Sequence, residues 1–447
     1  MKVILDHTRT FQRFEGFGAS GAWWAQLVGG RSYRDVISRL LFSKLDGIGL
    51  RTYRYNIGSG SADSGRGDIG NPLRRTFSFL DENGEYDFQK DEYAVNMMKQ
   101  AVKDGADEII LFVNSPPEFL TKNHKSHLDR SHVFRTNLSE KNYGAFADYC
   151  LDVCEHFVKE GLPVRYLSPI NEPFWIWVGG QEGCHYSPRQ AGRLMRVFAQ
   201  KMNGRPLLSG VRLSGVESGD IRWFNKSYTR NLLRYPETRS RLDGVDCHSY
   251  FLHFPLPFIN NRQAFLKRFR KYMDRRWPGV PVRMSEWCHM QGGRDKTMDS
   301  ALVMANVMYE DISILGVTSW QHWIAVSEVD FCDGLIYINT DNEDYELTKR
   351  YFVTGNFSKF IPYGARRIDV RCGDADLKPL AFDGDDKTVL VIINDTGKEK
   401  SVILPGAALK IVTDAERDLS VEESGKEAIL SPMSVTTFIL ERTESEG

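Results

Sequence analysis

What this sequence lacks narrows it first. Its seven cysteines, at 150, 154, 184, 247, 288, 332 and 372, contain no C-x-x-C pair. An odd count in that arrangement argues against a full disulfide framework and for a reducing, cytoplasmic setting. No glycine-rich loop of the G-x-G-x-x-G or Walker type opens a helix after a strand-like run, so the main argument for a nucleotide-binding sheet is missing. No apolar run approaches membrane-spanning length, and the start MKVILDHTRTF has three consecutive apolar residues before Asp6, too few for a signal-peptide core. Charge of one sign is missing too: 58 basic against 59 acidic residues leave a formal net charge of −1, without a long single-sign block. That balance argues against nucleic acid or a membrane surface as the main partner.

At 447 residues the chain exceeds an average domain, although α/β barrels reach about 250 residues or more as one unit. Eight short β-prone runs are present: FEGFGAS from Phe14, LRTYRYNIG from Leu50, EIILFVNS from Glu108, VRYLSPIN from Val164, LSGVRLSGVES from Leu208, GVDCHSYF from Gly244, PVRMSE from Pro281 and GVTSWQHW from Gly316. Helical patterns lie between them. In the clearest, residues 142–160, Phe146, Cys150, Val153 and Phe157 recur at helical spacing and Gly161 follows as a stop. The alternation predicts an α/β fold, a (β/α)8 TIM barrel over residues 14–350. Beyond it, runs such as TVLVIIND, KSVILPG, ALKIVTD and SVTTFILER are separated by Gly, Asp and Lys turns. These predict an attached β-sandwich domain over 351–443, joined by the alternating segment 1–13, with a frayed tail at 442–447.

In such a barrel the active site lies at the C-terminal ends of the strands. The residues closing the runs include Arg54 and Asn56, Asn114 and Ser115, Asn171 and Glu172, Glu217, His248 and Tyr250, Glu286, and Trp320 and Trp323. Several acids around one ring point to glycoside hydrolysis, in which one carboxyl protonates the leaving oxygen and a second meets the developing oxocarbenium ion. At about 5 Å and an effective dielectric near ~20, one ionised carboxylate opposes ionisation of the other by roughly 3 kcal/mol, about two pK units. One carboxyl then stays protonated near neutral pH while its partner is ionised.

Each of these residues also has a plainer reading. Glu172 before Pro173 suits the first turn of a helix, Glu286 a surface acid, Arg54 a structural ion pair, Asn171 a helix cap and Tyr250 a core phenol. Seven of nine tryptophans, at 23, 24, 175, 177, 287, 320 and 323, cluster near strand ends, and core packing alone would not favour one end of a barrel. The dipeptides Cys184-His185, Cys247-His248 and Cys288-His289 invite a zinc reading, but adjacent residues on a strand point apart. His185 and His248 are instead expected to bind substrate or orient a carboxylate. Glu217 is a rival acid that would assist binding or support a nucleophile.

In order along the chain, GFGASGAWWA, RYNIGSGS, NSPPEFLTKN, PINEPFWIW, GQEGCHYSP, CHSYF, MSEW, SWQHW and YFVTGNFSKFIPYGARRI resemble the family 30 glycoside hydrolases. The resemblance implies a (β/α)8 barrel with a β-sandwich and hydrolysis with retention of configuration. It makes Glu172 the general acid/base and Glu286 the nucleophile. Arg54 would hold the nucleophile, Asn171 reach the sugar 2-hydroxyl, Tyr250 hydrogen-bond near Glu286, and Trp323 floor the site. Trp24, Trp320 and His248 are expected among the remaining substrate-binding residues. WWA, RYNIG, NSPP and QEGCHYS most resemble the branch that cleaves β-1,6-linked galactan. Two features depart from it: Glu118-Phe119 after NSPP, and Trp287 after the nucleophile. The alternatives are a β-glucosidase, β-xylosidase or xylanase-type specificity, or a carbohydrate-binding protein without turnover. The expected partner is an oligo- or polysaccharide, with no cofactor and no metal.

Overall fold

The computed structural model describes residues 1–130, 134–222, 225–251 and 260–441. The tail expected to fray lies outside these residues, as do positions 442 and 443 of the expected side domain. Strand β1 (Val3–Arg13) opens the chain. Eight strands then build one parallel sheet: β2 (Gly16–Ser20), β3 (Thr52–Ile57), β4 (Glu108–Val113), β5 (Val164–Ser168), β6 (Arg212–Leu213), β7 (Val245–His248), β8 (Val282–Trp287) and β9 (Ser319–Ile324). Each grows from one of the eight β-prone runs, β8 and β9 extending one residue past theirs, to Trp287 and Ile324. β3, β4 and β8 are buried at every position, as strands covered on both faces must be.

The order in the sheet is β6-β5-β4-β3-β2-β9-β8-β7. Its two edges come together. Asp246 N donates to Gly215 O at 3.1 Å and His248 N to Ser218 O at 2.9 Å, with bridges at Leu213–Leu242 and Ser218–Cys247. The curled sheet is therefore TIM-like, and β6 is its weakest stave. Only two residues of LSGVRLSGVES pair regularly with β5, because Gly and Ser offer a strand little side chain to pack. Side chains reinforce this seam. Arg283 Nε donates to Asp246 Oδ1 at 2.7 Å, with both side chains almost wholly buried. The Ser214 hydroxyl donates to the other oxygen of Asp246, and the Arg283 guanidinium lies 4.1 Å from the ring centroid of Tyr166 on β5.

Ser285 is an extra residue in β8, since Cys247 pairs with Met284 but His248 pairs with Glu286. The bulge lets Arg283 and Glu286, three residues apart, both reach the barrel interior, which strict alternation would forbid.

A small sheet of β10 (Val326–Ser327), β11 (Ile336–Ile338) and β12 (Tyr345–Leu347) follows β9. The helix Lys349–Ser358 straddles the expected boundary at residue 350. The remaining strands are β13 (Arg366–Cys372), β14 (Leu377–Asp383), β15 (Lys387–Asn394), β16 (Lys400–Ile403), β17 (Ala408–Thr413), β18 (Ser420–Ser424), β19 (Glu427–Leu430) and β20 (Ser434–Glu441). Seven strands form an antiparallel sheet in the order β1-β13-β14-β15-β20-β17-β18, and β16 and β19 form a two-stranded ribbon. β15 is apolar on both faces. Val389, Val391 and Ile393 join the large core shared with the barrel, whereas Leu390 and Ile392 join a smaller core with Val402, Ala428 and Leu430 of the ribbon. Asn356 ties the helix to the sheet: its Nδ2 donates to Ile411 O at 3.2 Å, and its backbone O accepts from Thr437 Oγ1 at 2.7 Å.

Asp246→Ala would leave the Arg283 guanidinium buried without its anion. The expected loss is roughly 3–5 kcal/mol of stability, read as a fall in the urea midpoint. An unchanged midpoint would show that the seam does not depend on the pair.

Candidate active site

The C-terminal ends of β3, β5, β7 and β8, with the segment after β6, bring five ionisable groups to one place: Arg54, Glu172, Glu217, His248 and Glu286. Arg54 is fully buried and divides its fork between two carboxylates, with Nη2 2.6 Å from Glu217 Oε2 and Nη1 3.2 Å from Glu286 Oε2. Beneath it, the Phe112 ring centroid lies 4.4 Å from the guanidinium carbon. His248, also fully buried, links the acids. Its Nδ1 lies 2.9 Å from Glu172 Oε1 and its Nε2 3.0 Å from Glu217 Oε2. Tyr250 Oη donates to Glu286 Oε1 at 3.1 Å.

One oxygen of Glu172, one of Glu286 and a nitrogen of His248 all lie within 4.8 Å of one another. Such a trio could enclose a metal ion. Here, however, each imidazole nitrogen already meets a carboxylate, so the geometry is that of an ion-pair network. The three Cys-His pairs do not converge: the only group of three or more such ligands among the described residues contains no cysteine. Cys184, Cys247 and Cys288 are buried, and burial first of all raises their thiols.

Burial alone would raise the Glu217 carboxyl, but Arg54 and then His248 outweigh it and hold the group at about 2. Burial alone would lower His248, yet Glu286 and the hydrogen bonds to Glu172 and Glu217 lift it to about 10. His248 is therefore an imidazolium that donates from both nitrogens. Burial raises Glu286, with Glu172 and Glu217 adding to the rise and His248 and Arg54 opposing it. Every contact to Glu286 from Arg54, His248 and Tyr250 is one that favours the carboxylate once it is ionised.

Two of the acids stand on unusual backbone. Glu172 has φ +40° and Glu217 φ +27°, a region that L-residues seldom occupy and that costs of order 1–3 kcal/mol where it is enforced. The two turns brace each other, since Glu172 N donates to Glu217 O at 2.9 Å. The Trp177 indole N–H donates to Glu172 O at 3.2 Å, which makes Trp177 a structural clamp, while Trp175 is 47% exposed on the rim. Asn171 Nδ2 donates to Asn114 Oδ1, and Asn114 Nδ2 to Asn56 Oδ1, both at 3.1 Å. This ladder leaves Asn171 Oδ1 as a buried acceptor without a partner.

One expectation needs correction. Trp320 does not reach the site: its ring is buried between sheet and helices, and its Nε1 donates to Asp311 Oδ2 at 3.1 Å. Its neighbour Trp323 turns inward instead, toward Phe112 and Trp23, with ring centroids 6.3 Å and 5.3 Å away. Trp24 donates its indole N–H to Ser20 O at 2.8 Å, and Trp23 is the member of that pair whose ring meets Trp323. His185 lies edge-on to Phe134, with ring centroids 6.3 Å apart, and its Nδ1 is buried without a partner. Both sequence departures are internal. Glu118 is a buried anchor for Arg66 and for Ser126 N, and Trp287 packs on Trp320 at 6.0 Å outside the barrel.

Behind Trp23, an open cavity of about 50 Å³ is lined by Trp23, Trp24, Leu27, Arg74, Ile324 and Asp333, among others. Trp23 Nε1 and Asp333 Oδ1 are buried there without partners. The sequence marked only Trp23 and Trp24 of this wall, because its other members, such as Arg74 and Asp333, come from loops that are distant along the chain.

A family model described as O-Glycosyl hydrolase family 30 matches residues 1–337. The chain is similar to an endo-β-1,6-galactanase of Hypocrea rufa, 24% identical over 436 residues that cover 90% of this chain and 82% of that protein. It is also similar to a glucuronoxylanase of Bacillus subtilis (strain 168), 25% identical over 398 residues covering 81% and 80% respectively. Among solved structures, a conserved exported protein from Bacteroides fragilis matches with a TM-score of 0.89 at 22% identity, over 98% of this chain and 100% of that one. No helix among the described residues is long and apolar enough to cross a membrane.

The charge network predicts a pH signature. His248, raised from 6.5 to about 10, contributes stability that is complete below about pH 6.5 and is lost as pH rises through 10. Glu217, lowered from 4.5 to about 2, contributes above about pH 4.5 and loses that contribution as pH falls through 2. Wild type should therefore lose more stability than His248→Gln between pH 6.5 and 10. Nitrogen-15 NMR at pH 8 should show both ring nitrogens of His248 protonated, and a neutral ring would contradict the network.

Proposed function

The chain belongs to O-glycosyl hydrolase family 30, and on that footing we propose that it cleaves β-1,6-linked galactan or a related β-linked oligosaccharide with retention of anomeric configuration. The observation that carries this reading is the approach of Glu172 and Glu286, whose nearest carboxylate oxygens lie within 4.8 Å. Retaining enzymes hold their two carboxyl groups about 5–5.5 Å apart, whereas inverting ones leave roughly 6.5–9.5 Å for a water. Glu286, gripped by Arg54 and Tyr250, attacks the anomeric carbon as the carboxylate. Glu172, which is partly exposed, gives its proton to the departing glycosidic oxygen as that bond breaks. Glu172 then takes a proton from water, which attacks the same carbon, releases the sugar and frees the Glu286 carboxylate.

In this scheme the free Oδ1 of Asn171 accepts from the sugar 2-hydroxyl, and Trp323 lies under the ring's C–H face. His248 acts through Glu172. Galactan is favoured by the likeness to the galactanase, and a xylanase-type specificity is the second reading because the glucuronoxylanase match is of similar extent. We assign the chemistry to a barrel of residues 14–350 and read the antiparallel sheet and ribbon, from 1–13 and 351–443, as a β-sandwich side domain. Seven cysteines without disulfide partners support a reducing compartment, against the export ascribed to the Bacteroides fragilis protein.

Glu286→Gln should abolish turnover of every substrate. Glu172→Gln should lose about 100-fold or more in kcat/KM on the natural glycan yet keep near-normal kcat/KM on 2,4-dinitrophenyl glycosides, whose leaving group needs no proton. Wild-type rates in both variants on the glycan would reject the assignment, and proton NMR showing an inverted first-formed anomer would reject retention. Hydrolysis of β-1,6-galactan but not xylan separates the two substrate readings.

A further inference from the structure

The segment after Glu217 contains a glycine whose missing side chain coincides with the carboxyl of Glu172. A Cβ built on Gly219 would stand 2.6 Å from Glu172 Oε1, 2.7 Å from its Cδ and 3.1 Å from its Cγ. These are its three nearest atoms, and all belong to one side chain. Gly219 is not among the glycines with positive φ, so its backbone conformation is open to any L-residue. Alanine is excluded there only by the acid that occupies the space.

Neither side can give way freely. The backbone before Gly219 is pinned, since Glu217 O accepts from Glu172 N at 2.9 Å and Ser218 O accepts from His248 N at 2.9 Å. Oε1 of Glu172, the atom closest to the added carbon, is also the one held 2.9 Å from His248 Nδ1. An added methyl group would therefore push the carboxyl away from the imidazolium.

We infer that Gly219 is a positioning residue for Glu172: the absence of its side chain lets the acid lie between the β6 loop and His248 at the height of Glu286. This rests on the hydrolase reading, and it assigns the glycine a duty in proton transfer that its own chemistry does not suggest.

The test is Gly219→Ala, alone and combined with Glu172→Gln. Kinetics would be read as kcat/KM on 4-methoxyphenyl and 2,4-dinitrophenyl β-glycosides of the sugar that wild type hydrolyses. This quantity reports the first, bond-breaking half of the reaction, in which only the poorer leaving group needs a proton. Displacement of a catalytic group by about 1 Å costs on the order of 100-fold. Gly219→Ala should lose about that factor on the methoxyphenyl substrate and less than about threefold on the dinitrophenyl one, while still unfolding in a single cooperative thermal transition. Once Glu172 is Gln, adding Gly219→Ala should change little, because there is no acid left to misplace.

Equal losses on both substrates, losses that multiply in the double variant, or a fully active Gly219→Ala would each overturn the inference. If Glu172→Gln shows the leaving-group dependence and Gly219→Ala does not, the acid/base assignment survives and only the glycine's role falls. If Glu172→Gln shows none, both fall together.

Discussion

A guanidinium with no solvent exposure sits near the centre of this barrel, and much of the site follows from the need to neutralise it. Moving a single charge out of water costs several kcal/mol even after relaxation, so Arg54 is tenable only with anions in contact. Two strand ends supply them: Glu217 follows β6 and Glu286 lies on β8. Two buried carboxylates in turn call for a second cation, and His248 fills that place by touching Glu217 on one edge and Glu172 on the other. Three acids face two cations. The fully ionised cluster therefore carries one negative charge in excess, and a single proton on one acid brings it to neutrality. A group that carries a proton in one step and lacks it in the next is what a general acid/base is, and the charge count leaves room for one.

Backbone and side chains share the task of aiming these groups. The one-residue bulge at Ser285 brings Glu286 to the same interior as Arg283, and positive φ at Glu172 and Glu217 turns both acids in from the ends of their strands. Such conformations persist only where their surroundings over-determine them. Here the surroundings are the bond between the Glu172 and Glu217 turns and the Trp177 indole clasping the Glu172 carbonyl. The tryptophan that clasps the turn is itself buried, while Trp175, two residues earlier, is left on the rim.

Most of the scaffold was legible because buried parallel strands leave a plain trace, a run of apolar residues ending in polar ones. All eight runs became strands, and the acids closing the fourth, fifth and seventh meet as that reading requires. Failures came where a run does not reveal which face a residue takes. Trp320 and Trp323 stand three apart at one strand end, and only the fold shows that the first points outward to Asp311 and the second inward to Phe112. Trp23 and Trp24 present the same ambiguity at adjacent positions. Gly219 left no trace at all, since a glycine two residues past an acid has many ordinary explanations. The cavity wall at Arg74 and Asp333 was equally silent, being assembled from separate loops.

β1 is sequestered far from its neighbours in the chain. Residues 3–13 pair with β13 at 366–372, and the sheet they enter is completed only by β20 at 434–441. During synthesis, therefore, β1 has no partner in this sheet until β13, at 366–372, has also been made. The barrel is held in the same suspense, because Val389, Val391 and Ile393 of β15 close its outer core. Contacts between the extremes of a long chain are slow to form and leave unpaired edges exposed while they wait. A chain that stopped short of β13 and β15 would leave β1 an unpaired edge and the outer core of the barrel uncovered, the two kinds of surface through which partly made proteins associate.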